Sequence, residues 1–145
     1  MAVWSVRVIA GQPQPELRIS LLGGFRVACG TRAVVDGAWR LRKARTLLKL
    51  LALRPEHRVH REEVIETLWP DGDPGALSNN LRQAIYVCRR ALDSCGDDGA
   101  RRIGLIHDVL SLAAEGLTVD VDEFETAAEA ARRTPTRSIS MWARW

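Results

Sequence analysis

Apolar residues in this chain change their spacing twice, and the order of those periods constrains the fold more than any other feature. Leu17, Ile19 and Leu21 alternate with Arg18 and Ser20, and Phe25 and Val27 flank Arg26, which is the period of strands with one buried face. Gly23-Gly24 supplies a bend between two short strands, and Cys29-Gly30-Thr31-Arg32 a turn into Ala33–Val35. From Arg42 to Leu53 the period lengthens. Ala44, Leu47, Leu48 and Leu51 line one side of a helix that Arg54-Pro55 closes. A second helix is expected from His60, with Glu63 at the capping-box position and Val64, Ile65, Leu68 and Trp69 on its apolar side. Pro70-Asp71-Gly72-Asp73-Pro74-Gly75 is a loop, and a third helix follows from about Ala76. Alternation then returns in Ile103–Ile106 and Val109–Leu112, a hairpin around His107-Asp108. Val121–Arg133 reads as an acidic helix with Asp122 as its cap. The expected class is α+β, with an N-terminal antiparallel sheet, three helices and a C-terminal β-hairpin.

Length sets the scale: 145 residues bury one core rather than two. The formal charge of +3 is unevenly placed, because Leu17 to Ser111 holds 16 Lys/Arg against 11 Asp/Glu whereas Leu112 to Ala131 holds six acids and no base. The basic excess belongs to the main domain. Three cysteines, Cys29, Cys88 and Cys95, lack zinc-finger spacing and read as thiols of a reducing compartment, Cys88 within a helical core stripe. The leader MAVWSVRVIA is interrupted by Arg7 and is too short for a secretory or membrane segment, so the expectation is a cytoplasmic protein without membrane contact.

The stretch NNLRQAIYVCRRALD, residues 79–93, carries the most chemistry. On a wheel with about 100° per residue, Leu81, Ile85, Cys88 and Leu92 cluster as a buried stripe, while Asn79, Arg82, Gln83, Tyr86, Arg89 and Arg90 share the other face. Arginine forks fit guanine or phosphate, carboxamides pair with adenine, and a tyrosine stacks or donates to the backbone. No acid stands between Ala76 and Leu92, so the usual intrahelical ion pairs of a merely solvated face are missing. Arg42, Lys43 and Arg45 on the first helix, and Arg101 and Arg102 at the foot of the hairpin, are the candidate phosphate contacts. A hairpin after a basic third helix is the arrangement of a winged helix-turn-helix, with the third helix in the major groove. The wing turn Ile106-His107-Asp108-Val109 offers only His107 as a basic group.

Three segments then resemble a known family. K-A-R-x-L-L-x-L-L, R-E-E-x-x-E-x-L-W-P-D and A-x-S-N-N-L-R-x-A-x-x-x-x-R-R-A-L, within Leu17 to Leu112, are similar to the OmpR-type winged-helix domain of SARP-like, AfsR-like activators of actinobacteria. The resemblance implies a four-stranded N-terminal sheet, transcriptional regulation at promoters with direct repeats, and a loop between the second and third helices, carrying Asp71 and Asp73, that faces RNA polymerase. One reading helix per chain means that a repeated operator needs two copies, a homodimer on DNA. VDVDEFETAAEAARR is similar to the start of a bacterial transcriptional activator domain, whereas TPTRSISMWARW does not resemble its continuation and reads as a truncation or frameshift. The domains expected are a leader over 1–16, a winged-helix domain over 17–113, the first helix of a truncated activator domain over 119–133, and an unassigned tail over 134–145.

Enzyme chemistry finds little support. His57-x-x-His60 lacks zincin spacing, Gly23-Gly24 lacks the remaining parts of a phosphate loop, and no nucleophile stands beside a base in a known signature. No cofactor and no metal are expected. Trp39 and Trp69 are read as core packing. The competing class is a protein-interaction module, or antagonist, whose arginine face meets RNA polymerase or a full-length regulator instead of double-stranded DNA.

Overall fold

The computed structural model describes residues 16–133; the rest of the expected leader, the expected tail, and with them Trp4, Trp142 and Trp145 lie outside the described residues. Strands β1 (Leu17–Ser20), β2 (Arg26–Cys29) and β3 (Arg32–Ala33) form the antiparallel meander anticipated from their alternation. Gly23 and Gly24 make its first bend at φ of 82° and 145°, backbone angles that side chains oppose. Helix α1 (Arg42–Leu53) has the boundaries read from its period. Helices α2 (Arg61–Leu68) and α3 (Leu77–Ser94) follow across the 70–76 loop.

Between α1 and α2 runs β4 (Arg58–His60), a strand the sequence reading did not anticipate, which pairs with the C-terminal hairpin. That hairpin is β5 (Ile103–Ile106) and β6 (Val109–Leu112), preceded by a one-turn helix α4 (Gly99–Arg102). Its two-residue turn holds His107 and Asp108 at φ of 52° and 64°, the paired positive angles of a tight turn that matches strand twist. The chain then returns as β7 (Leu117–Val119) and α5 (Asp120–Arg133).

Two sheets result, in the orders β3-β2-β1-β7 and β4-β6-β5. The N-terminal sheet is four-stranded, but not wholly antiparallel as expected: β7 joins β1 in parallel, with Ile19 opposite Val119. One hydrophobic core joins both sheets to the helices, with Leu17, Ile19 and Val27 against Leu47, Leu48 and Leu51 of α1, Val64 and Leu68 of α2, Leu81, Cys88 and Leu92 of α3, and Leu110 and Leu112 of the hairpin. Trp39 is buried and its ring centre lies 5.5 Å from that of Phe25; Trp69 is partly buried against the same core. All three cysteines are unpaired and buried, and burial pushes the Cys88 thiol far above its ordinary range.

Helix starts differ in detail from the sequence reading. The cap of α2 is His60 itself, whose Nδ1 accepts the Glu62 N–H at 3.2 Å, while Glu63 pairs with Arg54 rather than closing a capping box. Helix α5 begins at Asp120, so Asp122 is not its cap. Instead Asp122 faces the imidazole of His57 at 3.1 Å. The Asp120 carboxylate accepts the Leu21 N–H at 2.9 and 3.0 Å and the Leu22 N–H at 3.0 Å, fastening the end of β7 to the end of β1. Desolvation alone would push this carboxyl up, but the Leu21, Leu22 and Val121 N–H donors outweigh it and hold it below the usual carboxylate range. A depressed carboxyl stabilises the folded state above its unfolded-state pKa and loses that contribution as pH falls through its folded value. Asp120→Asn is therefore expected to flatten the acid limb of a stability-against-pH curve measured by urea titration; an acid limb identical to that of the unmodified protein would sink this assignment.

Gly99 opens α4 where the chain passes under α3. A Cβ at this position would stand 2.1 Å from the Arg89 carbonyl oxygen and 2.7 Å from its carbon, and a backbone carbonyl inside a helix does not yield. Gly99→Ala is expected to cost about 1–3 kcal/mol as an overpacking change, read as a lowered thermal midpoint; an unchanged midpoint would show that the two segments separate easily.

Candidate nucleic-acid interface

Helix α3 buries Leu81, Ala84, Ile85, Cys88, Ala91 and Leu92, the spacing of a single apolar stripe. Its opposite side leaves Asn79, Arg82, Gln83 and Arg90 exposed, and Tyr86 is 60 % exposed. These five expected groups share one solvent-facing surface. Exposure of a large aromatic ring among carboxamides and guanidiniums has no packing purpose within the fold. The helix N-terminus has no side-chain cap, so its first amides stay open beside Asn79.

Surrounding elements hold that face in place. Lys43 of α1 donates its ammonium to the Leu68 carbonyl at the end of α2 and stands 6.0 Å from the centre of the Trp69 ring. Leu41, Lys43, Trp69, Asn79, Asn80 and Gln83 together line a shallow groove along the start of α3. Arg61, which the sequence reading passed over, ties three elements together. Its guanidinium donates to Ser78 Oγ at 3.0 Å, its backbone N–H donates to the Asp108 carbonyl at 2.8 Å, and its Nε lies 4.0 Å from the Asp108 carboxylate. The wing turn is thereby pinned to the starts of α2 and α3. The only sequence signal for this role was a basic residue at a helix start.

Two expected contacts are corrected. Arg89 does not stand with the exposed groups: its Nε and Nη2 both donate to the Ile103 carbonyl, at 2.9 and 2.7 Å, clamping the foot of the wing to α3. Arg102, expected at phosphates, is 9 % exposed. Its fork meets the Asp97 carboxylate at 2.9 and 3.1 Å, and its Nη1 donates to the carbonyls of Ala113 and Glu115 at 2.6 and 2.7 Å. Every face of that guanidinium is engaged inside the protein. Arg101 beside it is exposed, as is Arg42 at the first turn of α1. Arg45 lies over the Phe25 ring, 5.7 Å from its centre, toward the N-terminal sheet. Asp71 and Asp73 are exposed in the loop between α2 and α3. On the wing, Ile106 is 67 % exposed next to His107. Among the described residues no cluster of three or more His, Cys, Asp or Glu is placed to hold a metal ion, and no helix is long and apolar enough to cross a membrane.

A helix pair joined by a loop, a third helix with an open polar face and a three-stranded sheet ending in a hairpin form one arrangement. Residues 40–109 match the family model described as "Transcriptional regulatory protein, C terminal". This is a winged-helix domain. The winged helix also superposes on a solved structure, EmbR of Mycobacterium tuberculosis in complex with a low-affinity phosphopeptide, with a TM-score of 0.59 at 19 % identity. The likeness covers 72 % of this chain and 27 % of that one, so the chain spans about a quarter of the length of that relative. No curated protein matches the chain.

Proposed function

We propose that this winged helix binds double-stranded DNA in a sequence-specific manner and regulates transcription, with α3 entering the major groove. The observation that carries the reading is the uninterrupted exposed array of Asn79, Arg82, Gln83, Tyr86 and Arg90 on a helix whose other side is core. Arg82 and Gln83 project from the middle of that array and are the base readers; bidentate guanidinium and carboxamide pairs supply discrimination at that depth. Arg101 and Lys43 flank the array and meet phosphates, which position the domain without reading sequence. Activation at promoters with direct repeats, through Asp71 and Asp73 toward RNA polymerase, is the regulatory form of this reading.

The test is a fluorescence-anisotropy titration on a duplex selected from a random pool. Arg82→Ala is expected to cost about 1–3 kcal/mol on the preferred duplex and to relax base choice at one position, while Arg101→Ala weakens all duplexes alike and shallows the salt dependence. Unchanged affinity of Arg82→Ala for the best duplex would overturn the groove assignment.

A further inference from the structure

Two of the three cysteines come together in the fold. Cys29 ends β2 and Cys95 follows the last residue of α3; both belong to the one hydrophobic core, 5 % and 1 % exposed. Their thiols are side-chain hydrogen-bond partners. Burial pushes the Cys95 thiol above its ordinary range; the Asp97 N–H opposes that rise, and the Cys29 sulfur adds to it. The Cys95 sulfur also lies 3.3 Å from the Leu92 carbonyl oxygen.

Neither member of the pair sits in the middle of an element. Each is followed at once by an exposed glycine with positive φ, Gly30 at 61° and Gly96 at 102°. Such turns open locally at far less cost than the whole domain, so a small polar oxidant reaches the two sulfurs without global unfolding. Small backbone shifts at the ends of β2 and α3 then bring the sulfurs from hydrogen-bond distance to the bonded length of about 2.05 Å. Cys88 differs on both counts, being fully buried with helix continuing on either side.

We propose that Cys29 and Cys95 form a reversible dithiol–disulfide pair, oxidised by hydrogen peroxide and reduced by small thiols, that ties the N-terminal sheet to the end of α3. The Cys29 sulfur, the more exposed of the two, attacks one peroxide oxygen; the O–O bond breaks, the thiol proton leaves with the departing hydroxide as water, and Cys29 becomes a sulfenic acid. The Cys95 sulfur then attacks the Cys29 sulfur. The S–S bond forms as the S–O bond breaks, and the sulfenic oxygen leaves with the Cys95 proton as a second water. Two thiols lose two electrons and two protons, and one peroxide is reduced to two waters. In a reducing compartment the pair rests as thiols and oxidises only transiently. The bond closes a loop that contains α1, α2 and α3, and a long loop closed in this way restricts the unfolded chain strongly. This pair goes beyond the DNA reading and is measured without DNA, so either can fail while the other stands.

The experiment treats the folded full chain with hydrogen peroxide, blocks the remaining thiols with iodoacetamide in denaturant, and maps the peptides by mass spectrometry. A loss of about 2 Da is expected, with Cys29 joined to Cys95 within one copy, Cys88 alkylated, and full reversal by dithiothreitol. The thermal midpoint of the oxidised protein should rise by roughly 10 °C. Cys95→Ala should abolish both the mass loss and the rise, whereas Cys88→Ala should keep both. Should Cys95→Ala fail to fold by circular dichroism, Cys29→Ala takes its place. Three alkylated thiols after peroxide, a bond that includes Cys88 or joins two copies, or a Cys29–Cys95 bond that does not raise the midpoint would overturn the proposal.

Discussion

Arg102→Ala is expected to destabilise the protein by about 3–5 kcal/mol, the range for removing one partner of a buried ion pair. The substitution strands the Asp97 carboxylate, whose side chain is 12 % exposed, and removes the donor from two carbonyls, those of Ala113 and Glu115. Unsatisfied buried acceptors and an uncompensated charge each add to the cost. Lysine cannot replace the function, since an ammonium lacks the planar fork that reaches a carboxylate and two carbonyls at once, so Arg102→Lys should also lose most of the stability. Arg101→Ala, one residue earlier and exposed, should stay within about 0.5 kcal/mol of the unmodified protein. Urea denaturation followed by circular dichroism separates these outcomes. Equal midpoints for Arg101→Ala and Arg102→Ala would mean that the clamp contributes nothing to the fold.

Leu92→Ala is the second large effect, expected at about 2–5 kcal/mol through lost apolar contact and the cavity left behind. Leu92 is fully buried near the end of α3, where the helix meets the start of the wing region. Leu53→Ala, at a leucine 55 % exposed at the end of α1, should by contrast change stability by less than about 0.5 kcal/mol. On the proposed function, DNA affinity per folded molecule should stay unaltered in Leu92→Ala, because the side chain faces the core and Asn79, Arg82, Gln83, Tyr86 and Arg90 face away. A titration corrected for the folded fraction that still showed reduced affinity would indicate that the cavity tilts α3 and that the two faces of the helix are mechanically coupled.

Much of the fold was legible because its signals are local. Ala44, Leu47, Leu48 and Leu51 repeat at helical spacing between a basic start and Arg54-Pro55, and α1 occupies Arg42–Leu53. The hairpin was equally plain, since Ile103–Ile106 and Val109–Leu112 alternate around a two-residue turn and pair in that register. Strands β4 and β7 were not legible: each has three residues, too few for a period, and each exists only because a strand distant in sequence pairs with it, His60 lying opposite Val109 and Val119 opposite Ile19. The role of Asp120 was hidden for the same reason, as it caps amides at Leu21 and Leu22 that lie almost the whole domain away in sequence.

From the candidate interface, the order of residues alone determined which side of α3 is apolar, since a helical period of 3.6 residues sorts Leu81, Ile85, Cys88 and Leu92 from Asn79, Arg82, Gln83 and Tyr86 whatever surrounds the helix. The tertiary structure decided which arginines remain available. Arg82 and Arg90 face water, while Arg89 and Arg102, identical in chemistry and next to exposed neighbours, are drawn onto Ile103 and onto Asp97, Ala113 and Glu115. A guanidinium on a long flexible stem goes where acceptors lacking other donors lie within reach, and the positions of those acceptors are fixed only when the wing folds back on α3.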